Sequence, residues 1–552
     1  MATATKIVMD YNDIQPLADA VKTIGELDSS EKITLEDMID IVSDVAENGT
    51  GGGDITIPLA ELNAVNGGMA ATTIEAAVDN TEEHAADHEE LIAQISAALE
   101  GKTTATKDVV FYDYDGTVIC SYTIEEAKAL TQMPTPPAHE GLVFQGWNHT
   151  LNAVNELVYP TAIGAIYITD DGKTRLYVHL EEGFTDINIG VQLLGTMIID
   201  WGDGTPSDTL TIPTSKYESE EFITSPTHYY ASEGDYVITL EVNGHALFTQ
   251  WYWGVDYTSN LLFHIRDGSE TFYNAANTLT KVEIGNNIGF FGNSFAKCHN
   301  LLSVTIPNGI DDLGESTFME CTSLVHVNVP MSVIYEFTRT FCICTNLLSI
   351  SIPCGETYSG EQIGGSLYAF EGCANLKRIT APSNIVSYDG STFSGCSSLK
   401  DIYIIYNSEP SHNYYYDCEE LFYDCKSLLH VILQDGLSKI GYAAFEGCHS
   451  IKNILIPDSV NEIGDRVFRN CWNLRKIDIP RSVSRIGNGV FGNCYSLSEI
   501  HMKSSTPPVL DDAHAFSEWI PLNIYVPHGS LNAYKTATNW SYYADRIREE
   551  GT

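Results

Sequence analysis

His84 and His88 stand four residues apart, a spacing that on a helix turns both imidazoles toward a single metal ion. No Glu follows His84 in the manner of a zinc protease, and His88 also suits a polar position inside a helical bundle. Asp200, Asp203 and Asp208 offer three oxygen donors of the kind calcium takes. Asp-Gly is equally a turn dipeptide, so a bare turn competes with that reading. Asp115–Thr117 and Asp203–Thr205 both read Asp-Gly-Thr, and the first follows an apolar run, as the aspartate loop of a phosphatase does. The strand–helix alternation of a parallel sheet is missing around it, which leaves a hairpin turn. GTGGGD at 49–54 and GNNIGFFGNS at 285–294 lack the Lys-Ser/Thr ending of a phosphate loop. No Gly-x-Ser-x-Gly elbow occurs, and no Cys sits in the setting of a nucleophile. The expectation is a non-enzymatic chain with no catalytic residues and no cofactor.

Recognition is the chemistry that remains, and the elements that would present it repeat. Phe295, Phe318, Phe341, Phe370, Phe393, Phe422, Phe445, Phe468 and Phe491 recur at steps of 23 residues, twice lengthened to 29. Cys follows each Phe at +3, Leu (once Ile451) at +6, and a β-branched residue or Leu at +9. An apolar residue recurs at +11 in most units, and Pro307, Pro330, Pro353, Pro457 and Pro480 close several of them. The three-residue spacing is that of a short helical turn, whereas the +9/+11 pair alternates as a strand does. A following Pro cannot donate to a sheet and marks the strand end. One unit cannot bury its apolar face alone, but stacked units share a continuous core.

Of 13 cysteines, nine occupy one place in successive units and therefore face the same direction in each. They read as reduced core thiols, with a disulfide framework as the alternative. The pattern, as in AFEGCHSIKNILIPDSVNEIGDRVF, resembles the BspA-type (Treponema-type) leucine-rich repeat. That resemblance implies a solenoid over 266–505 associated with adhesion and protein binding. Residues 506–552, with Trp519, Trp540, Tyr542 and Tyr543, read as a C-terminal cap over the open end.

Ahead of the repeats, 165–265 read as short alternating strands. IIDWGDGT at 198–205 and HYYASEGDYVITLEV at 228–242 resemble the PKD-type immunoglobulin-like sandwich. VVFYDYDGTV at 109–118 and the later GLVFQGW at 141–147 resemble the InlB B-repeat β-grasp module, placed over 108–164 with a helix near Ile124–Leu130. Residues 1–54 are an acidic segment with a capping pattern at Thr34, a helix over Leu35–Ala46, and a Gly linker. Over 55–107, Ile74, Val78, Thr81, Ala85, His88, Ile92, Ile95 and Leu99 alternate by four and three, a heptad seam for a parallel homo-oligomer, with a trimer favoured, or for packing onto its own chain. The fold class expected is thus multidomain and β-rich: a helical N-terminus, a β-grasp module, an immunoglobulin-like sandwich and a capped leucine-rich-repeat solenoid.

Net charge is -45, with 74 acidic residues against 29 Lys and Arg, which disfavours nucleic acid and anionic membranes as partners. No apolar run of about 18 residues spans a membrane, and the first residues lack the pattern of a signal peptide. Two features break the repeat and are candidate receptor-binding sites. One is the Tyr-rich second insertion, with Tyr403, Tyr406, Tyr414, Tyr415 and Tyr416. The other is an island of Arg466, Arg469, Arg475, Lys476, Arg481 and Arg485. Either serves binding, or merely packs a bulged coil or solvates a repeat face. The module order resembles phage and prophage proteins of gut bacteria. It implies a virion fibre that docks on other virion proteins through its N-terminus and attaches to a host protein or glycan through the solenoid. A bacterial cell-surface adhesin with the same partners is the competing reading.

Overall fold

The computed structural model describes residues 107–181, 186–212, 223–224, 226–248, 262–265, 272–290, 292–333, 337–353, 367–382, 390–405, 418–431, 433, 437–516 and 521–550, together with two short strands at 55–58 and 73–76. The chain divides into two compact units, 1–106 and 107–552.

In the first unit, β1 (Ile55–Pro58) and β2 (Thr73–Ala76) pair antiparallel, with Ile57 opposite Ile74. The expected helical seam therefore does not include Ile74. Thr72, Thr73 and Ile74 are consecutive β-branched residues, stiff at χ1 and at home in extended backbone. His84, Val78, Thr81, Ala85, His88, Ile92, Ile95 and Leu99 lie outside the described residues, as does the helix expected over Leu35–Ala46.

The second unit begins with a small mixed sheet. Its strands are β3 (Val109–Tyr112), β4 (Val118–Tyr122), β5 (Leu142–Trp147) and β6 (Thr161–Thr169), in the order β4-β3-β6-β5. Central β3 and β6 run parallel and both outer pairs are antiparallel. The β3–β4 hairpin turns at Asp115-Gly116, where Gly116 takes φ +88°. Helix α1 (Ile124–Lys128) is held by a reciprocal cap: Glu126 N–H donates to Thr123 Oγ1 at 3.0 Å, and Thr123 N–H to Glu126 Oε2 at 2.9 Å. With α2 (Leu151–Asn155) it covers a core of Val109, Phe111, Ala127, Val154 and Ile163. Strand β6 runs through the 164/165 boundary drawn from the sequence.

Next come β7 (Thr174–Leu180), β8 (Asp186–Ile189), β9 (Val191–Asp200), β10 (Asp208–Ile212), β11 (Ile223–Thr224), β12 (Thr227–Tyr229), β13 (Gly234–Phe248), β14 (Leu262–Ile265) and β15 (Phe272–Asn274). They form two sheets, β12-β8-β14-β15 and a larger one containing β10-β9-β13-β7. Trp201, Ile187, Ile199 and Ile238 are buried among them. The larger sheet does not stop at this layer. Strand β7 pairs with β13 on one side and with β16 (Leu279–Glu283) on the other, and β16 is the first strand of the repeats. β17 (Ile288–Phe290) pairs parallel with β13 in the same way. One hydrophobic core consequently runs unbroken from Leu176 to Ile547, and the solenoid's N-terminal end is covered without any separate cap.

Each repeat is one coil. Its wide strand starts eight residues after Phe: β18 (Ser303–Thr305), β19 (His326–Asn328), β20 (Ser349–Ser351), β21 (Arg378–Pro382), β22 (Asp401–Ile405) and β23 (His430–Val431). Opposite it, β24 (Lys439–Ile440), β25 (Glu462–Ile463), β27 (Arg485–Ile486) and β29 (Val509–Leu510) build a second narrow parallel sheet. Strands β26 (Lys476–Ile479), β28 (Glu499–Met502), β30 (Asn523–Val526) and β31 (Ile547–Glu549) continue the wide face.

The Phe-x-x-Cys-x-x-Leu segment is a pair of tight turns instead of a helix. Cys298 N–H donates to Phe295 O and Leu301 N–H to Cys298 O, and the pattern repeats coil after coil. Between Phe and Cys, the residue at +2 (Lys297, Glu320, Ile343, Asp424, Asn470, Asn493) has φ between 58° and 62°, which no right-handed helix can propagate through. Gly372, Gly395 and Gly447 hold that position elsewhere.

Two ladders tie the coils together. The Phe rings stack from Phe295 to Phe491 with neighbouring centroids 5.3 to 5.8 Å apart, and Phe516 adds a tenth ring. From Cys321 onward each ladder Cys thiol donates to the carbonyl of the preceding coil's Phe; Cys321 to Phe295 and Cys448 to Phe422 are both 3.1 Å. The described cysteines are free thiols. Phe516, β29, β30 and β31 carry the coil pairing beyond residue 505, so the cap is shorter than the sequence suggests. It consists of α3 (Leu531–Thr536) with buried Tyr534, Trp540 and Tyr543. Their polar atoms are satisfied by Ser504 O, Pro508 O and Ala513 O.

Candidate binding surface

On the wide strand, residues at +9 and +11 point into the core, so +8 and +10 point out and line the face a solenoid offers to partners. In the first coils these outward residues are Ser303, Thr305, His326, Asn328, Ser349 and Ser351. All are small or neutral, and all but Ser349 are buried. Their cover is the chain's own first module, laid across the strands. Asn328 Nδ2 donates to Asp113 O and Ala165 O, both at 3.1 Å. Asn148 Nδ2 reaches back to Val329 O at 2.9 Å and Ser351 Oγ at 2.8 Å, and Ser351 Oγ donates to Ala162 O at 2.8 Å. Thr380 Oγ1 donates to Pro160 O. Tyr112 stacks on His326 at 4.6 Å, and Arg378 joins Asp108 to Asp401.

The approach is close enough to demand glycine. A Cβ on Gly164 would lie 2.2 Å from Asn328 Oδ1, and one on Gly116 would lie 2.6 Å from His326 Cβ. Burial holds two imidazoles here in the neutral form: His149 and His326 are each pushed down to about 4, His326 against the opposing pull of its hydrogen bond with Asn328.

Beyond β22 the strand face is open. Its outward row continues with Leu455, Asp478, His501, Tyr525 and Arg548, flanked by Lys476 and Glu499. His501 stacks on Tyr525 at 4.7 Å and bonds Glu499 and Glu550.

The residues singled out from the sequence land in different places. Tyr403 sits on β22 at an outward strand position, not in the insertion, and packs against Tyr159 of the first module at 5.6 Å. Tyr406, Tyr414, Tyr415 and Tyr416 lie outside the described residues. Arg466, Arg469, Arg475, Lys476, Arg481 and Arg485 do not converge, because a window of 23 residues makes one full circuit of the solenoid. Arg466 lies over Tyr442, Arg469 meets Glu446, and Arg485 is held between Glu462 and Asp511. Lys476 is on the wide face and Arg481 in the turn after it.

The three aspartates serve the turn around Trp201. Asp208 accepts from Trp201 Nε1 at 2.8 Å, Asp200 from Gly202 N–H, and Asp203 from Thr205 and His228. The Thr205 hydroxyl foremost, helped by His228, holds the Asp203 carboxyl at about 2. Among the described residues no group of three or more His, Cys, Asp or Glu side chains could hold a metal ion. Nor is any helix there long and apolar enough to cross a membrane.

Sequence reasoning missed the first module's seat on the solenoid. The signal was present: Ser, Thr, Asn and His at outward strand positions of early coils give way to Lys, Asp, Glu and Tyr later.

Residues 267–363, 361–421 and 418–528 match the family described as BspA type leucine rich repeat region, in 6 copies. No curated protein matches the chain. Similar solved structures include a leucine-rich repeat protein of Bacteroides ovatus, 19% identical, covering 52% of this chain and 97% of its own, with a TM-score of 0.27. A leucine rich cell surface protein of Faecalibacterium prausnitzii is 20% identical over 56% of this chain and 91% of its own, at 0.30. The T. pallidum leucine rich repeat protein is 20% identical over 41% and 85%, at 0.24. With the period, the Phe and Cys ladders and the family match in agreement, the solenoid of this chain is a BspA-type leucine-rich repeat region.

Proposed function

We propose that this chain is a non-enzymatic adhesion protein of a bacterial surface, which binds a protein or glycan on another cell through the uncovered coils of its solenoid. The observation that carries the proposal is the contrast along one face. Early coils are packed under the chain's own module, while the coils after β22 present charged and aromatic groups to solvent. The module at 108–169, with a parallel central pair flanked on each side by an antiparallel strand, is read as a β-grasp unit that stiffens the solenoid. The layers from β7 to β15 are read as an immunoglobulin-like sandwich that starts it.

A phage or prophage fibre would use the same solenoid for host attachment, with residues 1–54 docking on the virion and 55–107 joining the subunits. The bacterial-surface form is adopted because the repeat type is the adhesion-associated one. Beads coated with the full chain should bind intact cells of a bacterial and epithelial panel saturably, and soluble chain should compete. Absence of competable binding across the panel would sink the assignment.

A further inference from the structure

Four residues after each Phe, between the buried Cys and Leu, stands a residue on the outer turn of the coil. In the last three repeats it is His449, Trp472 and Tyr495. His449 and Trp472 stack with centroids 3.7 Å apart and planes 8° from parallel, and Tyr495 follows at 6.5 Å. Trp472 is 44% exposed and Tyr495 63%, a ridge of aromatic surface that neither the core nor the cap uses. One residue further along, every coil carries Asn or Ser: Asn375, Ser398, Ser427, Ser450, Asn473 and Ser496 in the later ones.

Seven residues after Phe the coils align Lys377, Lys400, Lys452 and Arg475, interrupted once by Leu429. Backbone bonds hold these positions in register: Lys400 N–H donates to Lys377 O, Arg475 N–H to Lys452 O, and Ser496 N–H to Trp472 O. Cations, amides or hydroxyls, and aromatic rings are thus arrayed in parallel rows along the solenoid axis. They lie on a chain whose net charge is -45.

We infer that this ridge binds a linear anionic polysaccharide lying along the solenoid axis. The Lys/Arg row would meet its carboxylate or sulfate groups, the Asn/Ser row its hydroxyls, and Trp472 and Tyr495 the apolar edges of its sugar rings. The inference rests on the reading of the solenoid as an adhesin and names the class of its partner. Charge density decides against nucleic acid. A nucleic acid carries a full charge on every nucleotide, whereas this row supplies at most one cation per coil, about 4.8 Å apart, and is broken at Leu429. The acidic remainder of the protein would repel the excess phosphates. A polysaccharide with one acidic group per sugar or fewer matches the row, and neutral hydroxyls occupy the rest.

The test uses the full chain with immobilised polygalacturonate, dextran sulfate, neutral dextran and a single-stranded oligonucleotide. At least one acidic polysaccharide should bind and neutral dextran should not. The quadruple variant Lys377→Gln, Lys400→Gln, Lys452→Gln, Arg475→Gln should weaken that binding at least about tenfold, from four charge contacts of modest worth each. Trp472→Ala should weaken it independently, with the thermal unfolding of both variants unchanged. No binding to either acidic polysaccharide, equal binding by the variants, or oligonucleotide binding through the same residues would each overturn the inference. Intact-cell binding by the quadruple variant separates the two levels. Undiminished attachment would overturn the ridge while the adhesin reading stands, and loss of attachment together with polysaccharide binding supports both.

Discussion

Gly164→Ala should release the first module from the solenoid without unfolding either. Gly164 lies in β6, where its missing side chain lets the strand pass over Asn328; the added Cβ would stand 2.2 Å from Oδ1 and 2.3 Å from Cγ of that residue. Ordinary contacts begin beyond 3 Å, so the strand or the Asn must move by about 1 Å. Asn328 has little freedom to do so. It is buried, its amide serves two carbonyls, and its Oδ1 is 2.6 Å from His326 Nε2. Overpacking of this kind costs about 1–3 kcal/mol, and the two amide bonds, if lost, cost about 1 kcal/mol each. Docking should therefore weaken by about 3–5 kcal/mol. Hydrogen exchange at Val329, whose amide donates to Ser351 O, and at the β3 and β6 amides reads the result residue by residue. Faster exchange on both sides of the junction, with the Phe-ladder coils beyond 440 unchanged, is expected. The double variant Gly164→Ala/Asn328→Ala should recover part of the loss by removing the obstruction. If Gly164→Ala exchanges like the native chain, the close approach is not real and the covered-face argument fails with it.

Acid should loosen the same junction. His149 and His326 have folded values of about 4 against an ordinary 6.5, so the unfolded chain takes up protons first as pH falls. The stabilising contribution is full above about 6.5 and lost progressively down to about 4, by a few kcal/mol in all; urea midpoints across that range should show it, and a flat profile would count against burial of the pair. Asp203, held at about 2, works at lower pH: its contribution is full above the ordinary carboxylate value and disappears as pH falls toward 2, so Asp203→Asn should flatten the acid limb of the unfolding curve. Burial pushes the ladder thiols far above the usual range, Cys494 up to about 12. Iodoacetamide at neutral pH should label the ladder cysteines only after denaturation, as read by intact mass. Phe468→Ala removes a ring packed between Phe445 and Phe491 and should cost about 3–5 kcal/mol, whereas Trp472→Ala on the outer ridge should leave stability within about 0.5 kcal/mol.

What could be read from the sequence followed the strength of periodic signals. The Phe, Cys and Leu positions recur because each coil buries the same three side chains, so residue types and their spacing are enough to declare the solenoid. The left-handed residues between Phe and Cys were harder to find, because Lys297 and Ile343 carry no turn signature of their own. Coil closure, not local preference, imposes their backbone. The cationic island misled for a geometric reason, since neighbours within one 23-residue period end up on opposite sides of the coil. The useful neighbours are one period apart, which is how Lys377, Lys400, Lys452 and Arg475 share a row. The module's seat depends on residues more than 160 positions apart, such as Asn148 and Val329, and only the composition of the outward strand positions hinted at it.

Hydroxyl-radical footprinting of the full chain, free and bound to cells that retain it, tests the central claim most directly. Binding through the uncovered coils predicts reduced oxidation at Leu455 and Tyr525 on the open strand face, with Trp147 and Tyr159 in the docked module unchanged. Protection confined to the module or to the layers before β16, with Leu455 and Tyr525 oxidised as in the free chain, would contradict it.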